Sequence, residues 1–358
     1  MNKTDITITS TRDIHMLKAA WERLDHIAAE KVEKGEIDYI DYSFYQTYEW
    51  NQFVYNTYSH RLVHTEYVVA SSDGEAKMIL PLMVDSINKR LRIINGRISG
   101  ICNVACPYQG AEAKALMEAL FDHLQDLYPK EWKYKFRDVP SHSPLVSTGF
   151  ERGARGNEKC SFHVPVCQFG SYEEYLSSLG KNIYKNIRKA YNHLTTDGKT
   201  MCLTCYTSVT PPSRHLLSEL WRLYFRRQLT WDKKHNTFLR KLACRAKTLH
   251  QVLLGKQTKS MLLLKESELY VLTIDGKAAA FMHTYVHNGH ILMPKLAIDA
   301  SFARYSPGIL LIQEAMKLFI PRGIKDFDMC RGEERYKTEV GGVNQSITSL
   351  TLGGKRLV

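Results

Sequence analysis

The 358-residue chain lacks several features that would place a protein in a class at once. It has no apolar run approaching about 18 residues, the length expected of a membrane-spanning helix. Its N-terminus lacks the charged-then-apolar order of a signal peptide. Eight cysteines are scattered along the chain, which fits reduced thiols better than a disulfide framework. These absences predict a cytoplasmic protein without a membrane span, and its 44% hydrophobic residues suffice for a sizeable core.

Familiar catalytic and metal-binding motifs are also missing. No G-x-S-x-G sequence occurs, so a covalent serine intermediate is not indicated. The pair Cys202 and Cys205 has metal-like spacing but no second pair of the same kind, and His283 and His287 have no nearby Cys or carboxylate partner in the sequence. We therefore predict no metal site.

Acidic residues are scarce in one region. Residues 181–247 contain fifteen Lys or Arg and three Asp or Glu, whereas the remainder of the chain has thirty-four of each. The net charge of +12 is therefore a regional property in the linear sequence. Such a region attracts anions: cofactor phosphates, an acidic glycan, a lipid headgroup or nucleic acid. The alternative interpretation is a set of solvated helix faces.

One stretch in the second half has the pattern of an anion site. Its apolar residues predict a strand over 290–298, a loop over 299–307 and a helix from Gly308. Pro307 suits a first helical turn, and Gly308 allows a ligand to approach the backbone closely. Unpaired amides at the start of the helix, together with the helix dipole, favour an anion there. The sequence thus predicts a phosphate-binding strand–loop–helix.

Three motifs around this stretch resemble the GNAT superfamily. In order, they read DGKAAAF over 275–281, AIDASFARYSPGILL over 297–311 and DFDMCRGEERYK over 326–337. More narrowly, the chain is similar to the CelD-like acyltransferases, relatives of the FemAB peptidoglycan enzymes. The resemblance implies acetyl-CoA or a longer acyl-CoA as donor, with the pyrophosphate of coenzyme A held at the loop-to-helix turn. The predicted donor site combines the side chain of Arg304, the backbone amides of Ser306, Gly308, Ile309 and Leu310, and Tyr305 as a candidate proton donor to the thiolate.

The second part of the resemblance concerns catalysis. The segment Gly332–Lys337 matches the family pattern G-x-E-x-Y-K, which carries Glu334, Tyr336 and Lys337 over as functional positions with their roles open. A carboxylate would accept the proton of the nucleophile, while Lys337 would bind the acceptor or the developing oxyanion. A structural ion pair between Glu334 and Lys337 is the alternative. The remaining candidates are Asp328 for catalysis and Lys185, Arg188 and Asp299 for substrate binding.

An internal repeat predicts the domain organisation. The strand–Asp73–Gly74–strand pattern is echoed by the strands on either side of Asp275–Gly276. The resemblance implies an α+β protein with two tandem GNAT-like domains, each a mixed, mostly antiparallel twisted sheet flanked by helices. We predict boundaries of 1–165 and 166–358. The first copy lacks a convincing phosphate loop after Ile101, so we expect it to shape the substrate site.

The leading prediction is an N- or O-acyltransferase acting on an amine or hydroxyl of a cell-envelope or polysaccharide-related acceptor. The basic region leaves two alternatives open: a FemAB-like transferase that takes its donor from aminoacyl-tRNA, and a non-catalytic module that binds an anionic polymer. Nucleic acid is expected as a partner only as tRNA under the first alternative. The partners also include a possible second copy of the chain.

Overall fold

The computed structural model describes residues 5–58, 63–94, 100–128, 131–230 and 238–353. The strands are β1 (Ile6–Thr11), β2 (Val63–Ser72), β3 (Glu75–Asp85), β4 (Arg90–Ile93), β5 (Lys133–Pro140), β6 (Arg155–Val164), β7 (Met201–Thr207), β8 (Ser267–Ile274), β9 (Lys277–His287), β10 (His290–Ile298), β11 (Asp326–Arg331) and β12 (Val343–Leu352). The helices are α1 (Lys18–Glu33), α2 (Tyr48–Tyr58), α3 (Gly110–Leu127), α4 (Pro144–Glu151), α5 (Tyr172–Ser178), α6 (Lys181–Thr196), α7 (Arg214–Thr230), α8 (Phe238–Leu254), α9 (Lys256–Leu263), α10 (Pro307–Phe319) and α11 (Arg335–Glu339). The predicted α+β class is confirmed.

The chain forms two compact units. Unit 1 comprises Met1–Ser161 together with Gln345–Val358, and unit 2 comprises Phe162–Asn344. The predicted second domain, 166–358, assigned the last strand to the C-terminal half. In the structure β12 instead pairs with β5 in antiparallel register, Ile347 opposite Pro140 through Leu352 opposite Tyr134, and lies between β5 and β6. The reason is hydrophobic, because the side chain of Leu350 is part of the buried core of unit 1.

Unit 1 contains the first copy of the repeat. Strands β2 and β3 form a hairpin whose turn residues Asp73 and Gly74 have φ values of 53° and 76°, as a tight two-residue hairpin turn requires. Strand β4 pairs with β3 in antiparallel and with β5 in parallel orientation, and α3 connects β4 to β5. The core packs α3 against this sheet through side chains such as Phe121 and Phe136.

Unit 2 repeats the same succession of hairpin, third strand, helix and parallel strand. Strands β8 and β9 meet at Asp275 and Gly276, with φ values of 49° and 74°, and β9 continues through a second hairpin into β10. Helix α10 then leads to β11, which pairs with β10 in parallel orientation. The neighbour order within the unit is β11-β10-β9-β8-β7. The internal repeat and the mixed, mostly antiparallel sheets are thereby confirmed.

Helix α6 shows why part of the basic region lies at the surface. Its apolar residues Ile183, Ile187, Ala190 and Leu194 recur at helical spacing and are all buried. Lys185 and Arg188 stand on the opposite, exposed face. Residues 231–237 of the basic region lie outside the described residues. Among the helices that are described, none is both long and apolar enough to cross a bilayer.

Candidate active site

The candidate site begins where two strands of unit 2 part. Strands β10 and β11 pair over three residues, from His290 opposite Asp326 to Leu292 opposite Asp328. The pairing of β10 with β9 shifts register just beyond, between Leu292 and Lys295. A cavity of about 420 Å³ lies at this point, lined by Tyr224, Arg227, Met293, Pro294, Lys295, Leu296, Met329, Arg331, Glu334, Tyr336 and Lys337. We call it the split-strand cavity; it lies at the carboxyl ends of two parallel strands, a usual place for ligands in open sheets.

Lys337 organises the segment that follows β11. Its side chain is only 2% exposed, and its ammonium group donates to the carbonyl oxygens of Cys330 at 2.8 Å and Arg331 at 2.9 Å. The same nitrogen lies 3.2 Å from Oε2 of Glu334. The third hydrogen-bond acceptor is the carbonyl of Gly332 at 3.4 Å, so the three carbonyls account for the three hydrogens of the ammonium group, and Glu334 is held as an ion pair. Lys337 thus fixes the chain around Glu334.

The backbone from the end of β11 to the start of α11 adopts conformations that most residues avoid. Cys330 has φ of 57° and Gly332 has φ of 130°. A Cβ atom on Gly332 would lie 2.1 Å from Oε2 of Glu334, so a side chain here would displace the carboxylate. Strained backbone of this kind concentrates at functional sites. The first position of the G-x-E-x-Y-K motif therefore requires glycine, because a side chain there would collide with the Glu334 carboxylate.

Asp328 supports this turn from inside. It is fully buried, and its Oδ1 accepts a hydrogen bond from the amide of Cys330 at 2.6 Å. The side chain is absent from the lining of the split-strand cavity. This placement fits a role for Asp328 in positioning the backbone, and not a role in contacting substrate.

Glu334 and Tyr336 do line the cavity. The Glu334 side chain is 31% exposed. Burial raises the pKa of the Tyr336 phenol, and the neighbouring Glu334 carboxylate raises it further. Tyr336 consequently keeps its proton at neutral pH and is available as a hydrogen-bond donor, beside a carboxylate that is available as an acceptor.

Three basic residues in the cavity, Arg227, Lys295 and Arg331, were missed by sequence reasoning. Burial lowers the pKa of Lys295 to about 8, and the side chain makes no hydrogen bond or ion pair with any residue in the described ranges. Arg227, on α7, donates from Nη1 to the carbonyl of Leu296 at 2.5 Å. A lysine inside the apolar strand sequence ILMPKLAI was a readable signal for Lys295. Nothing in the sequence near Arg227 connects α7 to β10.

The predicted donor loop has a defined geometry. Residues Ala300–Tyr305 form a 3-10 turn, Ser306 is left-handed with φ of 47°, and Pro307 occupies the first turn of α10. The amide of Ser306 bonds to Ala303 O at 3.0 Å, and those of Ile309 and Leu310 bond to Ser306 O at 3.0 and 3.1 Å. A Cβ on Gly308 would lie 3.1 Å from Cγ2 of Ile298, so the helix start approaches the end of β10 closely.

The side chains around this loop are held by a single carboxylate. Arg304 pairs with Asp197 at 2.9 Å, and the hydroxyl of Tyr305 donates to the same carboxylate at 2.9 Å. These contacts lower the pKa of Asp197, with the Tyr305 hydrogen bond as the first cause. Asp299 accepts bonds from the amide and hydroxyl of Ser301, which shapes the turn.

The structure therefore brings together only part of the predicted set. Glu334, Tyr336 and Lys337 meet in the split-strand cavity. Other candidates lie outside its lining, at the loop, at the start of α10 or on the exposed face of α6: Lys185, Arg188, Asp299, Arg304, Tyr305, Ser306, Gly308, Ile309, Leu310.

Comparisons with known proteins agree with this geometry. Residues 181–338 match the family model described as an acetyltransferase (GNAT) domain. No curated protein matches the chain by sequence. A solved tandem GNAT protein from the clavulanic acid biosynthesis pathway is similar with a TM-score of 0.56 and 10% identity, covering 99% of this chain and 100% of that one. A conserved protein of unknown function from Bacteroides thetaiotaomicron is similar with a TM-score of 0.51 and 11% identity, covering 97% and 100%.

These two structures, at such low identity, bear on the fold alone, whereas the family match bears on the segment that contains the split-strand cavity and the donor loop. The chain thus has a tandem GNAT fold, and its residues 181–338 match the model of the GNAT acetyltransferase domain.

Proposed function

We propose that the protein is an acyl-CoA-dependent acyltransferase that acylates an amine or hydroxyl group. The observation that carries the proposal is the parting of β10 and β11 after three paired residues, which opens a cavity containing Glu334 and Tyr336. The family match over 181–338 supports a thioester of coenzyme A as the donor.

The residues around the cavity suggest a division of labour. The nucleophile attacks the thioester carbonyl, a carbon–nitrogen or carbon–oxygen bond forms, and the carbon–sulfur bond breaks. Coenzyme A leaves as a thiolate and takes up a proton from solvent. Glu334 accepts the proton of the nucleophile, and the protonated Tyr336 donates to the carbonyl oxygen as negative charge develops there. Lys337 holds both in place through its carbonyl contacts.

The donor would reach the cavity from the loop that precedes α10. Phosphates of coenzyme A would lie at the start of α10, near Gly308 and Arg304, where the helix dipole favours anions. Binding there requires the phosphate to compete with Asp197 for Arg304. We assign Lys185, Arg188 and Asp299 to the periphery of this path.

The lining of the cavity also constrains the acceptor. It carries four basic side chains, Arg227, Lys295, Arg331 and Lys337, against one carboxylate, Glu334. Such a lining favours an acceptor that bears a negative charge as well as its reactive amine or hydroxyl. An acidic cell-envelope or polysaccharide precursor has this chemistry.

The decisive test measures release of coenzyme A thiol from acetyl-CoA in the presence of amino sugars and hydroxyl acceptors, with and without acidic groups. Glu334→Gln should lower kcat about 100-fold or more while leaving acetyl-CoA affinity within about twofold. Glu333→Gln is the matched control, since Glu333 is the exposed neighbour outside the cavity, and it should behave as wild type.

Two outcomes would contradict the proposed function. If acetyl-CoA neither binds nor is consumed, while aminoacyl-tRNA serves as donor, the acyl-CoA assignment is wrong and the aminoacyl-transfer alternative holds. Steep salt-sensitive binding of polyanions without any transfer would favour the non-catalytic module instead.

A further inference from the structure

One face of the unit 1 sheet concentrates positive charge that the linear sequence does not show. Alternate residues of a strand share a face, and the register places Arg90 opposite Lys133 and Arg92 opposite Lys135. Neighbouring positions on β5 and β6 extend this set across the sheet. We call it the basic face; it consists of Arg90, Arg92, Lys133, Lys135, Arg137, Arg155 and Lys159.

Most members of the basic face lack a close ion pair. Arg92 pairs with Asp85 at 3.2 Å, and Lys159 pairs with Asp138 at 3.3 Å. The other five cations make no ion pair with a residue in the described ranges. The Nε of Arg90 is buried without a hydrogen-bond partner among those residues. Like charges held together in this way destabilise the fold unless an anion binds between them.

The mutual influence of these cations is visible at Lys135. Burial lowers the pKa of its ammonium group, and the charges of Arg90, Arg137, Lys133 and Arg92 lower it further. Lys135 thus lies within the electrostatic reach of four other members of the basic face.

The face is concave at one end. A groove of about 530 Å³ is lined by Lys135, Arg137, Arg155, Gly156, Asn157, Lys159, Ser349, Leu350 and Thr351, all within unit 1. Its walls therefore combine four cations with two hydroxyl groups and an amide. The hydroxyl of Ser349 already accepts from the ammonium of Lys159 at 3.0 Å, which fixes that cation at the wall.

We propose that this groove binds a compact ligand carrying two or more phosphate groups. Arg and Lys together provide forked and point-charge donors for phosphate oxygens, and the volume lies in the range of small-molecule sites. Among the residues that the structure describes, no aromatic side chain lines the groove to stack bases, and the one large apolar residue there, Leu350, is buried and cannot enter a bilayer. The chemistry of the groove thus favours a small polyphosphate over a nucleic acid or a membrane surface.

The groove belongs to unit 1, whereas the donor loop belongs to unit 2. The proposal therefore stands independently of the acyltransferase assignment.

The test is calorimetric titration of the full chain with inorganic tripolyphosphate, pyrophosphate and phosphate at fixed ionic strength. Affinity should fall in that order, and Arg137→Ala/Arg155→Ala should weaken tripolyphosphate binding about tenfold or more. Both arginines are exposed, so the double variant should fold. Lys18→Ala/Lys34→Ala removes the same charge from exposed positions on and beside α1, and should leave the affinity unchanged.

Three results would overturn the proposal. Equal weakening by both double variants would mean that only net charge matters. Displacement of tripolyphosphate from Arg137 and Arg155 by stoichiometric acetyl-CoA would make the groove part of the donor site. Binding of short single-stranded RNA or phosphatidylglycerol vesicles through these arginines, without binding of tripolyphosphate, would make the partner a macromolecule or membrane.

Discussion

Lys337 is the residue on which the candidate site depends most directly. Its ammonium group is buried and satisfies carbonyls of a turn whose residues Cys330 and Gly332 have unusual dihedral angles. A buried charge is tolerated only when its partners are well placed, and those partners lose hydrogen bonds when it is removed. The sequence motif thus encodes a structural brace beneath Glu334.

Replacing this brace should cost stability. We expect Lys337→Met to lower the free energy of unfolding by about 3 kcal/mol, because it leaves buried carbonyls and part of the Glu334 carboxylate without partners. Urea denaturation of the variant and of Lys277→Met, an exposed lysine in the same unit, provides the comparison. Equal stability of the two variants would show that the Lys337 contacts contribute nothing net.

Unlike Lys337, Lys295 lowers the stability of the folded protein at neutral pH. Its pKa of about 8 in the folded state lies below its ordinary value of 10.5, so the folded protein disfavours the charged form. The loss of folding stability is complete below about pH 8, where both states bind the proton. It disappears as the pH rises from about 8 to 10.5, because in this range the unfolded state still binds the proton and the folded state does not. A residue that costs stability at neutral pH suggests a functional use for its charge.

The lowered pKa of Lys295 predicts how replacing this residue changes stability with pH. Lys295→Met should raise the free energy of unfolding by up to about 3 kcal/mol at pH 7, and the advantage should shrink steadily between pH 8 and 10. Chemical denaturation of wild type and variant across this range measures it, with Lys277→Met as control. An advantage that does not change with pH would trace to improved packing and not to proton linkage.

At the level of elements, α6 and the turn before α10 are joined through Asp197. This residue caps the end of α6 and holds Arg304 and Tyr305 of the adjoining 3-10 turn. The contact is exposed, so its contribution to stability is small. The pair matters because a phosphate bound at the start of α10 would compete with Asp197 for the guanidinium group of Arg304.

Removing that competition should strengthen donor binding. We predict that Asp197→Asn lowers the Kd for acetyl-CoA about threefold at low salt, with a smaller effect at higher salt because exposed charges are screened. Asp275→Asn is the control, as Asp275 is also exposed and pairs with Lys199 at 2.7 Å without contacting Arg304. Unchanged or weaker acetyl-CoA binding in Asp197→Asn would remove Arg304 from the donor site.

At the level of the whole molecule, unit 1 is discontinuous in sequence. Strand β12 arrives from the end of the chain and lies between β5 and β6. Without it, β5 loses backbone hydrogen bonds along the register from Ile347 to Leu352, and the buried side chains of Ile347 and Leu350 are lost. Unit 2 keeps all of its own sheet.

Truncation tests this division. A chain ending at Asn344 should show much faster amide hydrogen exchange in β5, while β8 and β9 remain protected, because opening of unit 1 does not require opening of unit 2. A chain ending at Gly353 retains β12 and should exchange like the full-length protein. Loss of protection in β8 and β9 as well would show that the units unfold as one.

The sequence determined the local features, because each depends on neighbours along the chain. The paired Asp-Gly turns predict the repeated hairpins, the spacing of Ile183 and Ile187 predicts α6, and the motif around Glu334 locates the segment after β11. Tertiary structure decided what depends on pairing across long distances. The insertion of β12 into unit 1, the approach of Arg227 to Leu296 and the depressed pKa of Lys295 all arise from contacts between distant segments or from burial. The basic face also depends on tertiary structure. Positive and negative charges balance in the linear sequence outside residues 181–247, but strand alternation and register place the cations on one side of a sheet.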